Sequence, residues 1–261
     1  MTYDRVIYDC FPFFNEYELL EIRLHEMDPI THKFIIVEGT HTFSGKPKEE
    51  FLNLDDPRIK PFADKIVVER IGPVGNTNWE RNFGQKQHLI TMLMSQCRSE
   101  KDILVMSDLD EIPCAKAVAE AEPRPLLAMH QKFAYYYLNY QAFNIDGTPK
   151  IWPDAKICTW GYLKYTNFKN LRLMRYRRGI PCGWHFSFMG GVDRIQTKIN
   201  AYTHQELNTP EFNNKESIES HIDKGEDLFN RPDRIMKVVS LDDSFPKYLR
   251  ENQEKFKHML R

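Results

Sequence analysis

The chain has 261 residues, enough for one large α/β domain with a full core or for two small ones. Its 36 basic residues face 37 acidic ones. That balance lacks the basic excess of a general nucleic-acid or membrane-surface binder and leaves small molecules as the expected partners. Cys10, Cys97, Cys114, Cys158 and Cys182 are odd in number, scattered and without CxxC spacing. They are therefore expected as free thiols of a reducing compartment, with neither a zinc site nor a disulfide framework.

No apolar run approaches the roughly 20 residues needed to span a bilayer. Residues 1–5 lead straight into a strand pattern without a signal-peptide core, so the chain as given is expected to be soluble and cytoplasmic, although a removed anchor would leave no trace. Residues 6–11 read as a first strand ended by Pro12. Asn15 then caps an amphipathic helix that carries Tyr17, Leu19, Leu20, Ile22, Leu24 and Met27, closed by Pro29. Residues 33–38 form a second strand ending in Glu38, and a strand, helix, strand unit of this kind is expected to be parallel. The small, polar segment 39–47 follows and suits a loop folding over a ligand or an ordinary surface loop. A third strand at 65–69, a Gly- and Pro-containing loop and a helix over 79–97 come next. Arg81 near that helix's start is either a phosphate contact or a plain surface arginine.

Residues 103–106, Ile-Leu-Val-Met, are the fourth strand of an alternating pattern that predicts a mainly parallel sheet with helices on both faces. Asp108, Asp110 and Glu111 follow at its tip, where open α/β sheets place ligands, and Pro113 is expected to break the strand. In a strictly extended chain Asp108 and Asp110 would point to one face. Crowded hard oxygen donors there suit a divalent cation with an open side for substrate phosphates. A solvated acidic turn capping a following helix is the alternative.

Past Pro113 the chain becomes aromatic. Residues 133–140, 151–152, 158–162 and 171–175 look like further strands, whose rings are core or stacking floors for sugars. Residues 180–189 are a mixed loop and strand with one histidine, His185. Helical periodicity marks 193–201 and 215–224, and a charged terminal helix is expected over 245–260, with Tyr248, Leu249, Phe256 and Leu260 packing on the body. Residues 204–206 and 225–231 concentrate ionisable groups and read by default as charged linkers. With no repeat and no obvious linker, residues 1–261 are expected as one domain with a loop-rich second half.

These pieces together resemble glycosyltransferase family 17. The resemblance is carried, in order, by 8–16 (Tyr-Asp-Cys-Phe-Pro-Phe-Phe-Asn-Glu), Leu19 to Leu24, Ile36-Val37-Glu38, 107–113 (Ser-Asp-Leu-Asp-Glu-Ile-Pro) and Gly183-Trp184-His185. It implies a GT-A-like fold and inverting transfer from a nucleotide-sugar, expected as a UDP-sugar, to a glycan or glycoprotein hydroxyl, supported by Mn2+ or Mg2+. The family's typical member adds N-acetylglucosamine to N-glycans. Its Asp-x-Asp motif falls on Asp108 and Asp110, and a late histidine that completes the metal shell falls on His185. Residues 203–206 and 225–231 are similar to late family segments. Animal members carry a membrane anchor and work in the Golgi lumen. This chain is more similar to a compact microbial or viral relative, which leaves donor sugar and acceptor open.

On that resemblance residues 1–113 are the nucleotide-binding half and 114–261 the acceptor-binding half. A cation held by Asp110 and His185, with Asp108 nearer the ribose or a bound water, would act on the departing diphosphate as a Lewis acid. Arg81 or Arg231 would add charge. The base that inversion requires is expected among Glu206, Asp227 and Glu226, and Glu38, with His41 and Thr42 nearby, is placed for the nucleoside, its alternative being a strand-end acid in a surface salt bridge. A metal-dependent nucleotidyl- or phosphoryl-transferase would use the same strand tip without needing a sugar, although GxxxxGK[ST] is missing. A non-catalytic glycan-binding module would explain the aromatics but not the acids.

Overall fold

In the computed structural model, which describes residues 5–121, 125–174 and 179–261, the apolar runs at the start of the chain pair as parallel strands. β1 (Ile7–Phe13) lies beside β2 (Lys33–Gly39), in register from Tyr8 opposite Lys33 to Phe13 opposite Glu38. β3 (Ile66–Ile71) extends β2, and β4 (Ile103–Met106) lies on the other side of β1, again parallel. The helices between them cover opposite faces. α1 (Tyr17–Met27) sets Leu20 and Leu24 against Phe11, Phe34 and Ile36, while α2 (Asn78–Gln96) sets Leu89, Met92 and Leu93 against Tyr8, Cys10 and Ile35. Alternate strand residues serve alternate faces, as the pleat requires. A capping box between Thr77 and Glu80 fixes where α2 starts.

The second half interleaves short elements. In chain order they are β5 (Glu111–Ile112), α3 (Ala115–Glu120), β6 (Leu126–Tyr135), β7 (Tyr140–Phe143), β8 (Ile151–Trp152), β9 (Lys156–Thr159), α4 (Trp160–Leu163), α5 (Phe168–Leu173), β10 (Gly179–Ser187), α6 (Val192–Ala201), α7 (Lys215–Lys224), β11 (Ile235–Val238) and α8 (Lys247–Glu251). β9 runs antiparallel between β4 and β6, so the main path of the sheet is β11-β7-β6-β9-β4-β1-β2-β3. β10 pairs with β6 in parallel and with β5 antiparallel. The fold is α/β with a mixed sheet whose N-terminal part is parallel, where the sequence pattern predicted a mainly parallel one.

Several boundaries differ from the sequence reading for local reasons. Pro12 lies inside β1, not at its end. Val6 and Cys10 turn their carbonyls to the β4 side, so Pro12, in phase with them, faces the same side beyond the last β4 contact, Ser107 N–H to the Cys10 carbonyl. No ladder donor is missed there. β4 stops at Met106, well before Pro113, because the chain turns through Leu109 and Asp110. The strand expected over 158–162 ends at Thr159 and gives way to α4. The one expected over 171–175 is helix α5, where Asn167 accepts from Asn170 N–H as a cap and Phe168 and Leu171, three apart, are buried; Arg175 lies outside the described residues. The terminal helix is α8 alone: Phe256 and Met259 return in a tighter turn to pack in the same cluster as Leu249. No helix of the described residues is long and apolar enough to cross a membrane.

Candidate active site

The loop between β4 and β5 is held from beneath by one side chain. Arg23 of α1 is fully buried with its partner Asp9. Its Nε and Nη2 donate to Asp9 at 2.9 and 2.6 Å, and Nη2 also donates to Ser107 Oγ at 2.7 Å. Its Nη1 donates to the carbonyls of Asp108, Leu109 and Glu111 at 2.7, 3.2 and 3.2 Å. The acidic loop is thus a turn wrapped on a guanidinium rather than an extended strand tip. Both Asp108 and Asp110 still line one cavity of about 800 Å3.

Each acid of the loop meets a cation from a different element. Lys86 of α2 is 2.6 Å from Asp108 Oδ1, and Lys198 of α6 is 2.6 Å from Asp110 Oδ2. Arg172 of α5 donates to both oxygens of Glu111 at 2.9 and 2.7 Å, and Trp152 Nε1 donates to Glu111 Oε1 at 2.6 Å. Burial by itself would raise the Asp110 carboxyl, but Lys198 and His185 outweigh it and hold the group far below the ordinary range. Burial likewise opposes ionisation of Glu111, yet Arg172 brings it down to about 2. Lys198 is held above its usual value, because Asp110 more than offsets the burial of the ammonium.

His185 reaches the same place along β10. Gly183, at φ 85°, lets this strand cross β5 where a Cβ would stand 2.1 Å from the Ile112 carbonyl. Beyond the crossing His185 pairs with Glu111, and Phe186 N–H donates to the Asp110 carbonyl at 2.8 Å. The ring packs between Phe133 and Trp152, with centroids 5.0 and 4.5 Å away, and its Nδ1 has no hydrogen-bond partner. Its Nε2 faces Asp110 Oδ2 across 3.7 Å. A carboxylate and an imidazole placed so are chemically suited to grip one divalent cation of the manganese or magnesium kind. The three-ligand set expected from the sequence is not assembled. Among the described residues no three His, Cys, Asp or Glu side chains converge on one point, and Asp108 is drawn toward Lys86.

The other predicted site residues separate into two groups. His41, Thr42 and Arg231 line the cavity. Glu38, Arg81, Glu206, Glu226 and Asp227 do not. Glu38 is fully buried and accepts from Lys48 at 2.7 Å, Arg70 at 3.1 Å and Leu52 N–H at 3.0 Å, so it folds segment 48–52 onto the strand end. Arg81 spends its donors on the Phe43 and Asn76 carbonyls and on Asn78, each within 2.9 Å, which ties the 39–47 loop to the start of α2. Glu206 is exposed and bound to His204 at 2.6 Å, and Glu226 is exposed. Asp227 is buried under its own turn, accepting from Phe229 N–H and Arg231 Nε at 3.0 and 2.8 Å.

Lys86, Arg172 and Lys198 escaped the sequence reading as site residues, and Trp152, expected as a core or stacking ring, also serves as a hydrogen-bond donor to Glu111. One of them left a trace: Lys198 falls on the same helix face as Ile195 and Ile199, both fully buried, and a lysine on an inward face calls for a partner. Asp154 and Glu16 also line the cavity, and Asp154 stands 3.8 Å from Arg172.

The glycosyltransferase family 17 model matches residues 1–261, the whole chain. No curated protein sequence matches at a significant level. Among solved structures the chain is similar to glucosyl-3-phosphoglycerate synthase of Mycobacterium tuberculosis, at 15% identity over 50% of this chain and 45% of that one with a TM-score of 0.27. The same enzyme in complex with Mn2+, UDP-glucose and phosphoglyceric acid matches at 12% identity over 94% and 91% with a TM-score of 0.29. Galactosyltransferase LgtC in complex with donor and acceptor sugar analogues matches at 10% identity over 65% and 66% with a TM-score of 0.30. In the first of these matches the chain spans less than half the length of the solved protein.

Proposed function

The chain belongs to glycosyltransferase family 17, and on that premise we propose that it transfers a sugar, with inversion, from a UDP-sugar to a glycan hydroxyl with the help of Mn2+ or Mg2+. N-acetylglucosamine, the sugar handled by the family's typical member, is the first donor sugar to try. The observation that carries the reading is the facing pair of Asp110 and His185 on a cavity that also takes in His41 and Thr42 from the first half and Arg231 from the second. Asp110 and His185 would hold the divalent cation, which supplies Lewis-acid charge for a departing diphosphate.

The chain's own residues do the rest. Arg23 keeps the acidic loop in one shape, Trp152 and Arg172 keep Glu111 ionised and occupy its oxygens with their own donors, and Phe133 with Trp152 fixes the plane of the His185 ring. Deprotonation of the acceptor hydroxyl needs a carboxylate open to the cavity. Glu206, Glu226 and Asp227 lie outside its lining, so the role passes to Asp154 or Glu16. The half made of residues 1–113 contributes the nucleotide wall and residues 114–261 the acceptor wall.

The experiment is to offer the protein a panel of UDP- and GDP-sugars with Mn2+ and to measure donor hydrolysis. UDP-sugar turnover that EDTA abolishes and Asp110→Ala removes is the expected result. Turnover that survives Asp110→Ala undiminished would overturn the metal assignment.

A further inference from the structure

We propose that Lys198 is a resident counter-cation of Asp110 that a divalent ion must displace, and that the displaced ammonium then binds the diphosphate of the donor. The inference rests on the donor class proposed above. It begins with a conflict over one atom. Asp110 Oδ2 is both the oxygen that faces His185 Nε2 at 3.7 Å and the oxygen that accepts from Lys198 Nζ at 2.6 Å. An ammonium and a divalent cation repel each other, so the second enters the Asp110–His185 gap only as the first withdraws.

Lys198 is built to withdraw. Of the three cations that neutralise the acidic loop it is the most open, with 26% of its side chain exposed against 6% for Lys86 and 16% for the doubly bonded Arg172. A lysine is a compact charge on a flexible four-carbon stem, so the head can swing while α6 stays in place. The ammonium itself also lies over Phe188, another wall of the cavity, with the ring centre 5.4 Å from Nζ, a second contact within reach of the head as it leaves Asp110. The end of α6 is in turn fastened to the 39–47 loop: Ser44 Oγ donates to the Asn200 carbonyl at 2.8 Å and Ser44 N–H to the Ala201 carbonyl at 3.2 Å. His41 and Thr42 of that loop line the same cavity as Lys198. A released ammonium therefore stays within the cavity, between the acidic loop and the loop expected to meet the nucleotide. In this arrangement metal and diphosphate favour each other's binding, because the first frees the group that the second uses.

The test measures binding, not turnover. Mn2+ is titrated into the nucleotide-free protein and followed by the electron paramagnetic resonance of the free ion, and UDP is titrated by calorimetry with and without Mn2+. Lys198→Met is expected to bind Mn2+ about tenfold more tightly than the wild type, since a charge-assisted hydrogen bond no longer has to be broken. The same variant should bind UDP about tenfold more weakly in the presence of Mn2+, with the mutual enhancement of the two ligands reduced. Lys198→Arg keeps the charge and should stay within about threefold of wild type for Mn2+. Mn2+ affinity that is unchanged or weaker in Lys198→Met overturns the inference, as does undiminished UDP affinity. If the wild type turns over UDP-sugars while both affinities ignore the substitution, the counter-cation idea falls and the enzymatic reading stands. If Mn2+ binding tightens but no UDP-sugar is turned over, the donor class is what fails.

Discussion

Replacing Arg23 by methionine should destabilise the protein and disarm it by separable amounts. The guanidinium and Asp9 are both fully buried, so the single substitution strands a carboxylate in the core. Losing one partner of such a pair costs about 3–5 kcal/mol. With an m-value of about 3 kcal/mol/M in urea, a loss of ~4 kcal/mol moves the unfolding midpoint down by about 1.3 M. Adding Asp9→Asn removes the stranded charge, and the double variant should recover about 2 kcal/mol or more of that loss. Turnover should not recover with it. The carbonyls of Asp108, Leu109 and Glu111 still lack the donor that shapes their loop, and a displacement of about 1 Å at a reacting group is enough for a loss on the order of 100-fold. Urea unfolding and donor turnover measured on both variants separate the two effects. A double variant with wild-type turnover, or a single variant with the wild-type midpoint, refutes the reasoning.

Two further outcomes follow from the charges. Glu111 has a folded pKa of about 2 against an ordinary value of 4.5, so its ion pair stabilises the fold fully above about pH 4.5, and that contribution is lost as pH falls toward 2. The difference in unfolding free energy between wild type and Glu111→Gln should therefore shrink by about 3 kcal/mol over that window, and a difference that stays constant with pH would count against the pairing. Glu38→Gln should cost ~2 kcal/mol by leaving Lys48 without its buried carboxylate. That is a drop of about 4–8 °C in melting temperature, with the donor KM within about threefold of wild type. A tenfold rise in KM without loss of stability would return Glu38 to the nucleoside.

What could be seen in the sequence was what is local. The apolar runs of β1 to β4, the periodicity of α1, α2, α6 and α7, and the acids after β4 are written in neighbouring residues. The cations that answer those acids are not. Arg172 meets Glu111 from 61 positions away and Lys198 meets Asp110 from 88, and no short pattern couples such distant residues. The base candidates are diverted by a local effect instead. Glu206 and Asp227 stand in ionisable clusters, but the clusters are closed on themselves, by His204 in one case and Arg231 in the other. Helix α5 reads as a strand in the sequence because Leu-Arg-Leu alternates over too short a span to reveal its period.

The place of β9 sets an order on how this protein can be made. Ile103, Leu104, Val105 and Met106 are all buried, and one side of their backbone is satisfied only by residues 156–159. On the ribosome the first four strands emerge with a naked, greasy margin that nothing covers until some fifty more residues have been added. Such a margin recruits other chains readily. A fragment stopped at Pro113 would carry it permanently, so truncations meant to isolate the front half should aggregate unless a substitute for β9 is supplied in trans.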